Sequence, residues 1–282
     1  MLRILFEDRA VLLEKDSELY GIVADLHIGF EIDLKGRGIR LPLQTDKISS
    51  QLLNLVDKYG IRKLILLGDL KHSILGYERR EAEDVRRLLE QLCQLVEEVY
   101  LIPGNHDGNI EEILYKLKVK VYSSRGLRLR DGELSVGLFH GHAWPSLRVL
   151  SSEVLVIGHI HPTVEFRDRM GLRYVEPAWI RVRIDRNRLA YSMCKHLKID
   201  PGEDPILSLK VSQGIELRTR WVLVMPAFNP FLSGLVINNT AKMSKMSPIL
   251  SAIGRDLEKS EIYLHDGTYL GSPKLLSKLS EV

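Results

Sequence analysis

Apolar positions along the first 160 residues follow two alternating spacings. Tyr20–Ala24 (YGIVA), Lys63–Leu67 (KLILL), Val99–Pro103 and Val154–Gly158 (VLVIG) are short apolar runs of the kind seen in buried strands, and Val119–Tyr122 predicts another strand. Between them the spacing is helical. Asp46–Tyr59 carries Ile48, Leu52, Leu53 and Val56 and stops at Gly60. Glu78–Glu98 carries Val85, Leu88, Leu89, Leu92, Leu95 and Val96 on one stripe, with Arg and Glu opposite. Glu111–Leu117 predicts a short helix. Beyond residue 126 strands dominate. Leu127–Arg130 and Leu134–His140 flank Asp131-Gly132, a hairpin signal. Arg181–Ile184 and Leu189–Met193 flank a polar turn and read as a second hairpin, and Trp221–Met225 and Gly234–Asn238 predict further strands. An α/β half followed by a mostly β half predicts a layered α/β protein, with sheets in the centre and helices outside. No Gly-, Ser- or Pro-rich linker interrupts residues 1–240, which read as a single domain. Residues 241–282 are expected to be a C-terminal extension packed back on it.

Composition narrows this only a little. The 282 residues are 45% hydrophobic and 27% charged, an ordinary globular balance, and the net charge of +3 is too mild to mark a nucleic-acid binder. Two cysteines, Cys93 and Cys194, make neither a disulfide framework nor a thiolate zinc site and fit a reducing cytoplasm. No apolar run reaches the ~18 residues that would span a bilayer. The opening MLRILFEDRAVLLEK meets Glu7, Asp8 and Arg9 after only a few apolar residues and is not read as a secretory signal. A cytoplasmic protein with no membrane partner is expected.

The histidines carry the chemistry. Asp25-x-His27, Gly104-Asn105-His106-Asp107, His140-Gly141-His142 and Gly158-His159-x-His161 each follow an apolar strand, and Gly68-Asp69 ends the KLILL strand. In open α/β sheets ligands bind beyond the carboxyl ends of strands, so these five clusters are expected to converge. In Asp-x-His an extended backbone would point both side chains the same way, able to grip one cation. If Asp69 bridges, two cations can sit ~3.5–4 Å apart. Oxygen and imidazole donors without thiolate suit Mn²⁺, Fe²⁺ or Zn²⁺ better than Ca²⁺. Taken singly, each motif is commonplace: a turn, an Asx-turn or a surface pair. Their conjunction and order are not.

That order, DLH, GD, GNHD, HGH, GHIH, resembles the calcineurin-like metallophosphoesterase superfamily over residues 20 to 162. The segments DLHIGFEIDLKGRGIRLP (25–42), GDLKHS (68–73), HGHAWPS (140–146), VIGHIHP (156–162) and MPAFNPFLSG (225–234) look like the archaeal and bacterial branch often encoded beside DNA ligases or helicases. The resemblance implies a four-layer αββα sandwich with mixed β-sheets and a pair of divalent metal ions, Mn²⁺ first and Fe²⁺ or Zn²⁺ as alternatives. It implies Asp25, His27, Asp69 and His161 around one metal, Asp69, Asn105, His140 and His159 around the other, and His106 as the catalytic histidine. His142 is the alternative ligand to His140 and otherwise a contact behind the metal or to phosphate. His72 is either a cleft residue or an exposed loop histidine, and Arg37 and Arg40 are candidate phosphate contacts. Asp107 either orients His106 or caps the next helix; the cap is the expected role.

The implied reaction is metal-dependent hydrolysis of a phosphodiester, with DNA as the expected partner, single-stranded DNA favoured, in repair alongside other repair proteins. A phosphatase or phosphodiesterase of small molecules or nucleotides is the alternative. An inactive binding scaffold on the same fold is the third reading, and the intact His106 argues against it. Residues 166–198 hold nine Arg or Lys against three acids, interleaved with Tyr174, Trp179 and Tyr191. They read either as a nucleic-acid surface or as a solvated hairpin face. Trp144 is either a stacking platform or, as the expected role, part of the core wall.

Overall fold

The computed structural model describes residues 1–36, 38, 44–238 and 240–279. Two mixed sheets lie face to face. The first has six strands in sequence order: β1 (Leu2–Leu5), β2 (Ala10–Lys15), β3 (Glu18–Val23), β4 (Lys63–Leu66), β5 (Glu98–Leu101) and β6 (Val119–Val121). β1 to β3 pair antiparallel, and β3 to β6 pair parallel. Parallel pairing needs crossovers, and helices supply them. α1 (Phe30–Gly36) and α2 (Thr45–Tyr59) join β3 to β4, α3 (Arg79–Leu95) joins β4 to β5, and the short α4 (Ile110–Ile113) precedes β6.

The second sheet is built from β7 (Leu127–Asp131), β8 (Leu134–Leu138), β9 (Val154–Ile157), β10 (Pro162–Arg167), β11 (Arg173–Arg183), β12 (Trp221–Val224) and β13 (Leu235–Val236), in the order β13-β10-β11-β12-β9-β8-β7. β14 (Glu261–Leu264) pairs with β11, and β15 (Tyr269–Gly271) with β14. The helices of this half are α5 (Leu147–Leu150), α6 (Arg186–Leu197), α7 (Pro205–Gln213), α8 (Thr240–Met246), α9 (Pro248–Ile253) and α10 (Pro273–Leu279), with a 3₁₀ turn at Gly254–Lys259.

Three apolar clusters fill the gaps between these layers. Alternation along each strand decides which cluster a side chain joins. In KLILL, Leu64 and Leu66 point to the helices α2 and α3, while Ile65 and Leu67 face the other sheet. Leu155 and Ile157 join the outer cluster of the second sheet, and Val156 faces inward. Both faces are covered, so the period of two is hidden in a continuous apolar run. The layers are helices, sheet, sheet, helices, the mixed α/β sandwich expected.

Several expectations need correction. Residues 186–197 are a helix, not the second arm of a hairpin. The Asp185 carboxylate accepts from the N–H groups of Asn187 and Arg188, an N-cap that starts α6, and Leu189, Ala190, Met193 and Cys194 fall on its buried stripe. The strand expected over Gly234–Asn238 is only two residues long, Leu235–Val236. The α7 helix, opened by an Asp204 cap and Pro205, carried no apolar stripe that would announce it.

Candidate metal centre

Each cluster lies just beyond a strand: β3 is followed by Asp25 and His27, β4 by Asp69, β5 by Asn105 and His106, β8 by His140, and β9 by His159 and His161. β3, β4 and β5 run parallel in one sheet, β8 and β9 parallel in the other, so each set delivers its loops at one edge. Cross-sheet hydrogen bonds join those edges. His140 Nδ1 donates to the Leu67 carbonyl at 3.1 Å, and the His159 N–H donates to Asp25 Oδ2 at 3.0 Å.

The local backbone differs from the extended geometry expected of Asp-x-His. Asp25, His27, Asp69, His159 and His161 all have positive φ, from 43° to 74°. Non-glycine residues occupy this region at a cost of about 1–3 kcal/mol each and persist where the surroundings hold them. Left-handed turns, not strand alternation, bring these side chains together. Two glycines make room. A Cβ on Gly68, whose own φ is +83°, would strike the His140 ring, and one on Gly104 would strike Asp69.

Asp25, His27, Asp69 and His161 form one group whose donor atoms all lie within 4.8 Å of one another; Asp69, His140 and His159 form a second, and His27, His72 and His106 a third. Asp69 divides its oxygens. Oδ1 accepts the His106 N–H at 2.8 Å. Oδ2 stands 3.3 Å from His27 Nε2, 3.3 Å from His140 Nε2 and 4.0 Å from His106 Nε2. His161 Nε2 is 3.3 Å, and His140 Nε2 3.7 Å, from Asp25 Oδ1.

The donors fit a bound cation. The Nε2 atoms of His27, His140 and His161 are buried without a hydrogen-bond partner, which costs about 1–3 kcal/mol per group unless something fills the space between them. Second hydrogen bonds fix which nitrogen is free. His140 gives its Nδ1–H to Leu67, leaving Nε2 as donor to a metal; His159 Nε2 donates to the Met246 carbonyl at 2.9 Å, leaving Nδ1. His106 Nδ1 bonds to the His72 carbonyl, so Nε2 is the atom it turns towards Asp69.

Electrostatics favours the neutral form of His27, His72, His140, His142 and His159 and the charged form of both carboxylates. Burial pushes His140 and His72 down to about 4, with the charges of His27 and His106 adding to the shift at His72. Burial also lowers His27, His142 and His159. Burial acts to raise Asp69 and Asp25, but their histidine partners outweigh it and hold both below the ordinary carboxylate range. Burial likewise opposes protonation of His161, yet Asp25 beside it raises its pKa.

His72 lies in the cleft: its Nδ1 is 3.2 Å from His27 Nδ1. His142 is outside the three groups, with its ring 5.3 Å from that of His140 and 6.0 Å from that of His159. Asn105 is exposed in the turn before His106. Arg37 and Arg40 lie outside the described residues. Trp144 packs against the outer core and stacks on His196, as expected of a core wall. The basic stretch is not one free surface: Arg167 and Arg173 pair with Glu165, Arg181 with Glu261 and Arg188 with Asp256, while Trp179 is buried between the sheets.

Two supporting residues escaped sequence reasoning. The Asp107 carboxylate does not cap α4, and it bonds backbone N–H groups instead of the His106 ring. Its Oδ1 accepts the Leu70 N–H at 2.9 Å and its Oδ2 the Gly104 N–H at 2.8 Å, clamping the Asp69 loop to the His106 loop. Asn229 gives its side-chain N–H to the Leu26 carbonyl at 3.0 Å, holding the DLH turn from the far sheet. Phe231, two residues on, stacks with Phe30, which packs edge-on to His72, and Lys47 lies over the Phe231 ring at 4.9 Å.

Among solved structures, the nuclease MPE of Pseudomonas putida is 20% identical, covering 96% of this chain and 94% of its own, with a TM-score of 0.53. The phosphoesterase YfcE of E. coli is 21% identical over 53% of this chain and 73% of its own, with a TM-score of 0.35. No curated protein sequence matches the chain. Among the described residues no helix is long and apolar enough to cross a membrane. The sequence model of the calcineurin-like phosphoesterases, a family that uses divalent metals, matches residues 20–185, well over half of the chain. The chain therefore belongs to the calcineurin-like phosphoesterase family and is a hydrolase of phosphate esters.

Proposed function

We propose that this hydrolase cleaves phosphodiester bonds in nucleic acid, single-stranded DNA first, as a cytoplasmic repair nuclease acting with other repair proteins. We further infer that it belongs to the branch associated with DNA ligase or helicase genes, and that residues 241–282 form one domain with the rest. The observation that carries the reading is Asp69 Oδ2, equidistant from two histidines of different donor groups. It suits a carboxylate that bridges two cations.

In this assignment Asp25, His27, Asp69 and His161 hold one ion, and Asp69, Asn105, His140 and His159 the other. When bound, two divalent cations, Mn²⁺ first among the candidates, supply Lewis acidity that draws the pKa of water towards neutrality and offsets charge on the phosphoryl oxygens. The chain does the rest. Asp107 and Asn229 keep the loops in register. Attack of a water oxygen on phosphorus would break the bond to the leaving oxygen, which would take a proton from Nε2 of the His106 imidazolium, and the proton lost by the water would restore that ring; the His72 carbonyl holds Nδ1–H and with it the ring orientation.

The nucleic-acid reading draws support from the wall beside the metal centre. Phe231 is partly exposed, and an aromatic face with a lysine above it suits a stacked base and its phosphate. The nuclease of Pseudomonas putida, similar in fold along nearly its whole length, favours the same substrate class. Rates with Mn²⁺ on single-stranded DNA, duplex DNA, bis-p-nitrophenyl phosphate and mononucleotides test it. Cleavage of DNA with a steep salt dependence is expected. Turnover of the small esters alone would select the small-molecule alternative, and no turnover of any would select the scaffold.

A further inference from the structure

Met246 and Ser247 stand at the junction of α8 and α9, about sixty residues beyond the end of the family match. Their surroundings are unusual for a helix junction. Ser247 occupies the N-cap position of α9, where a serine oxygen normally accepts one of the helix's free N–H groups. Here it makes no such bond. It is buried, and its hydroxyl donates to the Gly141 carbonyl at 2.6 Å. The preceding carbonyl, that of Met246, accepts the His159 Nε2–H at 2.9 Å. One turn of chain thus touches both loops, His140–His142 and His159–His161, that the second sheet sends to the site.

The sequence explains why this turn is rigid. Pro248 excludes the helical region for the residue before it, and Ser247 is extended at φ −144° and ψ 134°. Pro248 is also the first residue of α9, where its missing N–H costs nothing. Behind it Ile249, Leu250, Ala252 and Ile253 are all buried in the outer core of the second sheet, so the helix cannot drift. The Met246 carbonyl is therefore fixed in space before any ion arrives.

We propose that the Met246–Ser247 turn is a positioning element of the metal centre, selecting the His159 tautomer and holding the His140 loop for the ion shared by Asp69, His140 and His159. This rests on the assignment of that donor group to a metal under the proposed function. A ligating histidine needs its second nitrogen tied to an acceptor, and loss of such a tie lowers metal affinity about 10–100-fold. The Met246 carbonyl supplies the acceptor, and the Ser247 hydroxyl keeps the turn against the loop. The C-terminal extension is on this account part of the metal site rather than a passive cover.

Ser247→Ala and Pro248→Gly test the turn, and Ser247→Thr serves as the conservative control. Mn²⁺ binding to the full chain is followed by titration calorimetry, and the His159 tautomer by nitrogen-15 NMR on histidine-labelled protein without metal. Both disruptive variants are expected to bind one equivalent of Mn²⁺ as the parent does and the second about 10–100-fold more weakly. The parent should show the Nε2–H tautomer at His159, with that signature weakened in Pro248→Gly, and Ser247→Thr should retain both equivalents. Parental affinity for both equivalents in the two folded variants would overturn the proposal, as would equal weakening of both sites. If the parent itself binds no Mn²⁺, the metal assignment fails instead. If Ser247→Ala and Pro248→Gly do not fold, an Nδ1–H tautomer in the parent would still refute the role of Met246.

Discussion

His106 donates its backbone N–H to Asp69 Oδ1 at 2.8 Å, which leaves Oδ2 alone to face the donors of both histidine groups. One oxygen is spent on the loop that carries the catalytic candidate, and the other stands at the centre. The same carboxylate thus couples the position of the proton donor to the position of the ions.

Asp69→Asn keeps the shape and removes the charge. Both equivalents of Mn²⁺ should weaken together, because the side chain belongs to both donor groups. Equilibrium dialysis of the variant with Mn²⁺ checks this. Retention of one tight equivalent would show that Asp69 serves a single ion.

His106→Asn should leave metal content intact and lower kcat on DNA by about a hundredfold or more, the size of a general-acid contribution. The loss should shrink on bis-p-nitrophenyl phosphate, whose leaving group needs less protonation. Steady-state rates on the two substrates check both statements. A kcat within twofold of the parent on DNA would remove His106 from the chemistry.

Much of this site was legible from residue order, and the reason is physical. A short apolar run such as KLILL, ended by Gly68-Asp69, marks a buried strand and its carboxyl end together. Five such ends in one chain have few ways to lie apart in an α/β sandwich. The supporting contacts were not legible in the same way. Besides the local bond of Asp107 to Gly104, Asp107, Asn229 and Ser247 act on backbone groups 36 to 203 residues away, and nothing in their local sequence names those partners. Asp107 and Ser247 also sit where an ordinary helix cap would be read. The helix over residues 186–197 was missed because its apolar residues, Leu189, Ala190, Met193 and Cys194, are few and follow a polar turn that also suits a hairpin.

The metal-free protein should lose stability on acidification between about pH 6.5 and about pH 4. Burial holds His140 near a pKa of about 4, below the ordinary 6.5, so the unfolded chain binds a proton that the folded chain refuses. The slope from this one group is about 1.4 kcal/mol per pH unit. His27, His72, His142 and His159 are lowered too and act in the same direction. Asp107 opposes them. Burial and the Asp69 charge raise it to about 6, so its contribution is full below the ordinary 3.8 and is lost as the pH rises through about 6. His161, raised by Asp25 against its burial, opposes them as well. Urea unfolding of chelator-treated protein across this range should show stability rising with pH. A flat or falling profile would contradict the neutral, buried state of these rings.

Phe231→Ala should weaken the binding of single-stranded DNA about tenfold, within the range of a lost base stack, and leave KM for bis-p-nitrophenyl phosphate unchanged. Fluorescence titration with a labelled oligonucleotide in Ca²⁺, compared with KM on the small ester, separates the two. Equal losses on both substrates would mean that the ring only supports Phe30 and His72.

Two ions sharing Asp69 are the core of the proposed function. Anomalous diffraction from crystals grown with Mn²⁺ measures this directly. The expected result is two peaks ~3.5–4 Å apart, both next to Asp69, one also bound by Asp25, His27 and His161 and the other by Asn105, His140 and His159. A single peak, or a pair in which Asp69 touches only one ion, would contradict it.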